Sequence, residues 1–145
     1  MNIVFFVHIL ATITMTGIIW FIQLVHYHLF NLVGMAQFTA YEAAHTRLIT
    51  FTVFPIMLIE LGTGFVLLWN RPIQVTSVQA WMGFGLLLII WVSTVLLQVP
   101  QHHVLAFGFD AIAHTKLAAT NWIRTIAWSL RALLLLKAFW GDFGK

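Results

Sequence analysis

The sequence predicts an all-α integral membrane protein: a four-helix transmembrane bundle, folded as a single domain over residues 1–145. Three observations predict it. The 145 residues are 61% hydrophobic and 8% charged, with a mean hydropathy of +0.96, which leaves too little charged surface for a soluble domain of this size. Four apolar runs each reach the roughly 20 residues that a helix needs to cross about 30 Å of hydrocarbon. The polar residues inside those runs recur at helical spacing and so share faces.

The first run, 3–30, is overlong, which implies tilt or an end standing beyond the lipid. It has no basic leader and exceeds the core length of a signal peptide, so it reads as mature structure. Residues 31–47 are only moderately apolar, and their latter part reads as a helical extension into the second run, 48–69. Pro55 lies inside that run, where it is expected to kink the helix and free a backbone carbonyl. Asn70, Arg71 and Pro72 break the chain before the third run, 79–99, and Pro100 breaks it afterwards. The fourth run is 117–140. Four crossings place both termini and the 70–78 loop on one side, with Arg71, Lys137 and Lys145, opposite Arg47 and Lys116, which favours cytoplasmic termini.

Charge narrows the function classes. Seven Lys and Arg against four Asp and Glu give a net +3, but the basic residues are scattered singly. No clustered face for phosphate exists, so nucleic acid is excluded as a partner and the lipid bilayer is the expected one. There is no cysteine, which removes thiolate chemistry and leaves nitrogen, oxygen or methionine as ligands for any metal or haem.

The polar stripes have depth as well as direction. His8, Thr12, Thr16, Gln23 and His26 share a face of the first helix; Asn121, Arg124, Trp128 and Arg131 share one on the fourth; Glu42, His45, Thr52 and Glu60 are compatible with one on the second. Charged faces turned to lipid are costly, so the stripes are expected to point inward. At about 1.5 Å per residue, Glu60 lies roughly 22 Å beyond His45 and Arg131 roughly 21 Å beyond Leu117. Glu60 and Arg131 are therefore expected to meet as an ion pair, either a structural lock or part of a proton relay or substrate site.

Near the other end, Arg124 sits about 10 Å in from the start of its run, level with Thr52, Gln98 and Gln23. Around and above it gather Glu42, His45, His26, His28, His102, His103, Asp110, His114 and Asn121. Glu42 and His45 have the i,i+3 spacing of carboxylate-bridged metal bundles, and Asp110 and His114 the i,i+4 spacing if their loop is helical. Glu42, His45, His102, His103, Asp110 and His114 are thus candidate metal ligands. The alternative is a hydrogen-bonded polar plug or ligand mouth. His8 stands apart, as a hydrogen-bonded core residue or an axial haem ligand. Trp69, Trp81, Trp122 and Trp140 fit an interfacial belt, and Trp20, Trp91 and Trp128 lie deeper, where they pack helices or line a flat pocket.

His8, Ile9 and Leu10, then Gly17, Tyr27 and His28, then Arg47, Leu48, Pro55 and Gly64 give the first half a resemblance to the four-helix bacterial membrane protoporphyrinogen oxidase family. That resemblance implies a four-helix fold in a bacterial inner membrane, haem-associated redox chemistry on a porphyrinogen, and His8 as the haem ligand. The lysine which that family leads one to expect in the third helix has no counterpart before Lys116. The stretch from Asn121 to Trp128 is similar to small four-helix proteins related to the anthrone-oxygenase-like group, which implies oxidation of a flat aromatic substrate.

The functional expectation is a membrane oxidoreductase or oxygenase-like enzyme that acts on a flat hydrophobic aromatic molecule or binds haem or a metal ion. Arg124 and Asn121 would orient the ligand, and His45 or His102 would move protons. The alternative is an accessory subunit of a larger membrane complex, or a homo-oligomer, in which the stripes serve helix association. A proton or small-ion path ranks third, because fixed arginines line cation paths poorly.

Overall fold

The structure, a computed structural model, describes residues 3–140 and the side chains as far as Ala138. Lys145 and the Trp140 side chain, used above for topology and the aromatic belt, lie outside the described residues. The described chain is all-helical, without strands. Its four helical stretches are α1 (Ile3–Phe30), α2 (Met35–Leu67) and α3 (Ser77–Leu105), then α4 (Ala111–Trp140). Three of them, α1 to α3, are long and apolar enough to span a membrane. Lys116, Asn121, Arg124, Arg131 and Lys137 dilute the apolar character of α4.

Short connections join the helices, and each packs on its neighbours in a closed order: α1 on α2 and α4, α3 on α4 and α2. Between them lie three apolar layers. One holds Phe5, Leu67, Val75 and Ala138; the middle one Met15, Ile19, Val53, Met57, Ile90 and Trp128; the third Phe30, Phe38, Leu105, Ala113 and Leu117. The outside is apolar too, with Ile13, Phe51, Leu96 and Leu133 exposed, while Glu42, Glu60, Asn121 and Arg131 are buried. A soluble protein arranges these types the other way round.

Helix boundaries follow local chemistry. α3 opens with a capping box: the Gln79 amide donates to Thr76 Oγ1 at 3.2 Å and the Thr76 amide donates to Gln79 Oε1 at 2.8 Å, which satisfies two otherwise orphaned donors. α2 runs unbroken through Pro55. Pro100 does not end the third helix as the sequence suggests. A π-helical stretch, Thr94–Gln98, precedes it, and the proline falls in the first turn of the α-helical segment Val99–Leu105, where its missing N–H is tolerated. α4 likewise starts earlier than expected because Asp110 caps it, with the Ala113 amide donating to Asp110 Oδ1 at 2.7 Å.

Asp110 is therefore an N-cap, on the exposed side of the helix start. Asp110→Ala should lower stability by about 1 kcal/mol, read as a downward shift in thermal unfolding of the protein in detergent; an unchanged midpoint would show the cap to be idle.

Candidate functional site

Two buried polar networks lie between the apolar layers. The deeper one joins all four helices. Glu60 of α2 accepts at Oε1 from Arg131 Nη2 (2.9 Å), Arg131 Nε (3.2 Å) and Thr12 Oγ1 (2.7 Å), and at Oε2 from Trp128 Nε1 (2.9 Å). Arg131 Nη1 donates to the Gly83 carbonyl of α3. The ion pair expected from depth arithmetic is present, and it is closed: both carboxylate oxygens and all three guanidinium nitrogens have partners.

His8 belongs to this network. Arg131 can only donate, so His8 Nε2, 3.2 Å from Arg131 Nη2, is the acceptor and Nδ1 carries the proton. Nδ1–H then donates to Thr63 Oγ1 at 2.8 Å, and Thr63 Oγ1 passes its own hydrogen to the Ile59 carbonyl at 2.7 Å. The imidazole is neutral with its lone pair spent on Arg131. It does not fit an axial haem ligand, which needs that lone pair. Gly64 allows the ring this close, since a Cβ there would meet His8 Cε1 at 3.2 Å.

The second network lies toward the opposite end. Gln23 and Gln98 are both buried, and each sits in a π-helical stretch, Ile22–His26 in α1 and Thr94–Gln98 in α3. The wider turn is a local departure of the kind that recurs at functional sites. Gln23 donates to the Ala118 carbonyl at 3.1 Å and accepts from Asn121 Nδ2 at 2.8 Å. Gln98 donates to Thr120 Oγ1 at 3.1 Å and accepts from Ser93 Oγ at 3.0 Å. The two glutamines thus hold α4 on either side, just before Arg124.

Arg124 contrasts with Arg131. It is 7% exposed and has no carboxylate partner among the described residues; its guanidinium lies 5.3 Å from the centre of the Trp128 ring. Its Nε, Asn121 Oδ1, Glu42 Oε2 and Trp91 Nε1 are buried without a hydrogen-bond partner. The buried Tyr27 phenol lies within electrostatic reach of both Arg124 and Glu42.

Above Arg124 the helices bring Glu42, His45, His102 and His26 together. His102 Nδ1 lies 2.6 Å from Glu42 Oε1, and His26 Nε2 lies 2.9 Å from His45 Nδ1. The rings form a stack: His26 on His45 at 4.5 Å and 30°, His45 on His102 at 5.3 Å and 30°, and Tyr41 on His45 at 6.4 Å and 10°. When His102 donates from Nδ1 to Glu42 Oε1, it keeps a lone pair at Nε2, which has no hydrogen-bond partner among the described residues.

The six candidate metal ligands do not act together. Glu42, His45 and His102 meet. His103 is exposed on α3 and stacks edge-on with Phe107, Asp110 caps α4, and His114 Nε2 donates to the Tyr27 carbonyl at 2.8 Å. The cause is helix phase: with α3 continuing past Pro100, His102 and His103 point in different directions. Among the described residues no group of three or more His, Asp or Glu can hold a metal ion, so the donors do not fit one. Thr52, expected on the inner stripe, is exposed and donates to its own helix at Leu48 O.

Sequence reasoning left out Thr63, the Gly83 carbonyl and the Trp128 N–H as partners in the deeper network. Trp128 falls on the α4 stripe, which was a usable signal; a backbone carbonyl leaves none. His26 was in the polar group but was not singled out. Compared with known proteins, the chain matches no protein-family model, no curated protein and no solved structure.

Proposed function

We propose that the chain crosses a membrane four times, as a bundle with cytoplasmic termini in a bacterial inner membrane, and that its outer polar network binds and helps oxidise a flat, lipid-soluble hydroxyarene. The apolar exterior and the inward-facing Arg124 and Arg131 of α4 support the fourth crossing. At about 1.5 Å per residue the 33 residues of α2 reach roughly 50 Å, well beyond the hydrocarbon, so its first turns stand at the headgroups with Glu42 and His45.

The observation that carries the functional reading is Arg124, buried with its Nε unsatisfied and with no carboxylate partner among the described residues. A permanently charged guanidinium held away from water without a counter-charge is costly, and an oxygen of a ligand removes that cost. Asn121, one turn earlier on the same face, offers its free Oδ1 to a hydroxyl. The near-parallel rings of Tyr41, His45, His26 and His102 favour a planar molecule.

His102 then has a clear role. Its Nε2 lone pair takes the hydroxyl proton, and Glu42 holds the tautomer and stabilises the imidazolium. Deprotonation leaves an electron-rich oxyanion beside Arg124. A hydroquinone of this class loses two protons and two electrons in all, and dioxygen, soluble in the bilayer, takes both as hydrogen peroxide.

The test uses the full chain in lipid nanodiscs. Methylnaphthoquinone should quench tryptophan fluorescence saturably, and Arg124→Gln should weaken that binding at least about tenfold, through loss of a charge-assisted hydrogen bond. Methylnaphthohydroquinone should consume dioxygen faster with the protein than alone. Absence of both effects would make Arg124 a structural group and favour an accessory subunit.

A further inference from the structure

Beside α1 lies a cleft of about 730 Å³, counting the open space at its mouth, lined by Gly17, Ile18, Phe21, Ile22, His26 and Ile49. Every wall except His26 is apolar. Gly17 and Phe21 are exposed on the outside of the helices, the side that the proposed bilayer covers. The cleft belongs to neither polar network, yet it ends on a residue of the outer one: His26 Nε2 is 2.9 Å from His45 Nδ1.

We infer that this cleft, between α1 and α2, is a sideways passage by which a neutral, planar, lipid-soluble molecule reaches the outer polar site directly from the bilayer. The inference rests on the reading of that site given above and adds the route and the state in which the ligand arrives.

Three features carry it. Gly17 leaves the floor open, since a Cβ there would meet no atom within 4 Å. From Gly17 to His26 the helix advances about 13 Å, enough length for two fused rings lying along the groove. The π-helical stretch Ile22–His26 coincides with the far end of the cleft. There His26 turns toward His45, so the first polar group an incoming molecule meets is already bonded into the site.

The walls also set the chemistry of the traveller. With no Lys or Arg among them, they discriminate against an anion, whose transfer into such surroundings is costly. The hydroxyl must therefore arrive protonated and give up its proton only beyond His26, where His102 and Arg124 lie. A ligand that is charged before it leaves water has no favourable path along this groove.

A bulky ring at position 17 tests the route without touching the site. In nanodiscs, stopped-flow quenching by methylnaphthoquinone should show Gly17→Phe slowing association by about tenfold, because access then waits for the ring to swing aside. Gly17→Leu should give a smaller slowing. Gly85→Phe, a ring added on α3 at another glycine with nothing within 4 Å, should leave the rate as in the wild type. Equal association rates in Gly17→Phe and wild type would overturn the route while leaving the site reading intact. Quenching that is insensitive to Arg124→Gln, or absent, would overturn both.

Discussion

Arg131→Met should destabilise the protein by about 3–5 kcal/mol, the magnitude for removing one member of a buried ion pair. The size follows from what is left behind. Glu60 would keep Thr12 and Trp128 as donors but lose both bonds from the guanidinium, and His8 Nε2 would lose the N–H that now occupies its lone pair. An uncompensated carboxylate would remain at 0% exposure. Glu60→Gln should also destabilise, because an amide has one acceptor oxygen where the carboxylate uses two, for Thr12 and Arg131 at Oε1 and for Trp128 at Oε2, and because Arg131 loses its counter-charge. The double variant Glu60→Gln with Arg131→Met should cost less than the sum of the two, since neither charge is then stranded. Unfolding in mixed detergent micelles, read through tryptophan fluorescence across all four proteins, measures the cycle. Additive effects would mean that the two side chains do not depend on each other, contrary to the geometry.

His102→Ala should lower the turnover of methylnaphthohydroquinone by about a hundredfold or more, as expected when a positioned general base is removed. The three groups in the outer site should separate kinetically. Arg124→Gln acts on binding, so KM should rise with a smaller change in kcat. His102→Ala acts on proton removal, so kcat should fall with KM nearly unchanged. On the proposed reading Glu42 acts through His102, which it contacts at 2.6 Å. Glu42→Gln should follow His102→Ala in direction, as a loss in kcat alone, and by a smaller factor. A Glu42→Gln protein that binds and turns over like the wild type would show the carboxylate to be only a structural anchor between α2 and α3.

Much of this architecture was legible because an apolar chain that forms helices leaves few choices. Helical rise converts position into depth, so Glu60 and Arg131 could be matched from sequence alone; once both are inside, each is the other's nearest opportunity for compensation. The same ruler placed Gln23, Gln98, Thr52 and Arg124 at a common level, yet Thr52, in the middle of α2, is exposed. It failed as well where helix boundaries moved. Carrying α3 past Pro100 rotated His103 to the outside, and starting α4 at Ala111 turned Asp110 from a ligand candidate into a cap and sent His114 to a backbone carbonyl.

Hydropathy and periodicity by themselves therefore determined helices with Glu60, Arg124 and Arg131 turned inward, and the ion pair that Glu60 and Arg131 form, because burial in an apolar medium penalises a charge turned outward. Only the tertiary structure decided which histidines face one another, that His8 spends its lone pair on Arg131, and that Arg124 has no carboxylate partner among the described residues. Those outcomes depend on helix phase at the π-helical turns and on backbone carbonyls such as that of Gly83. A shift of one residue in phase swings a side chain by about 100°, and composition carries no record of it.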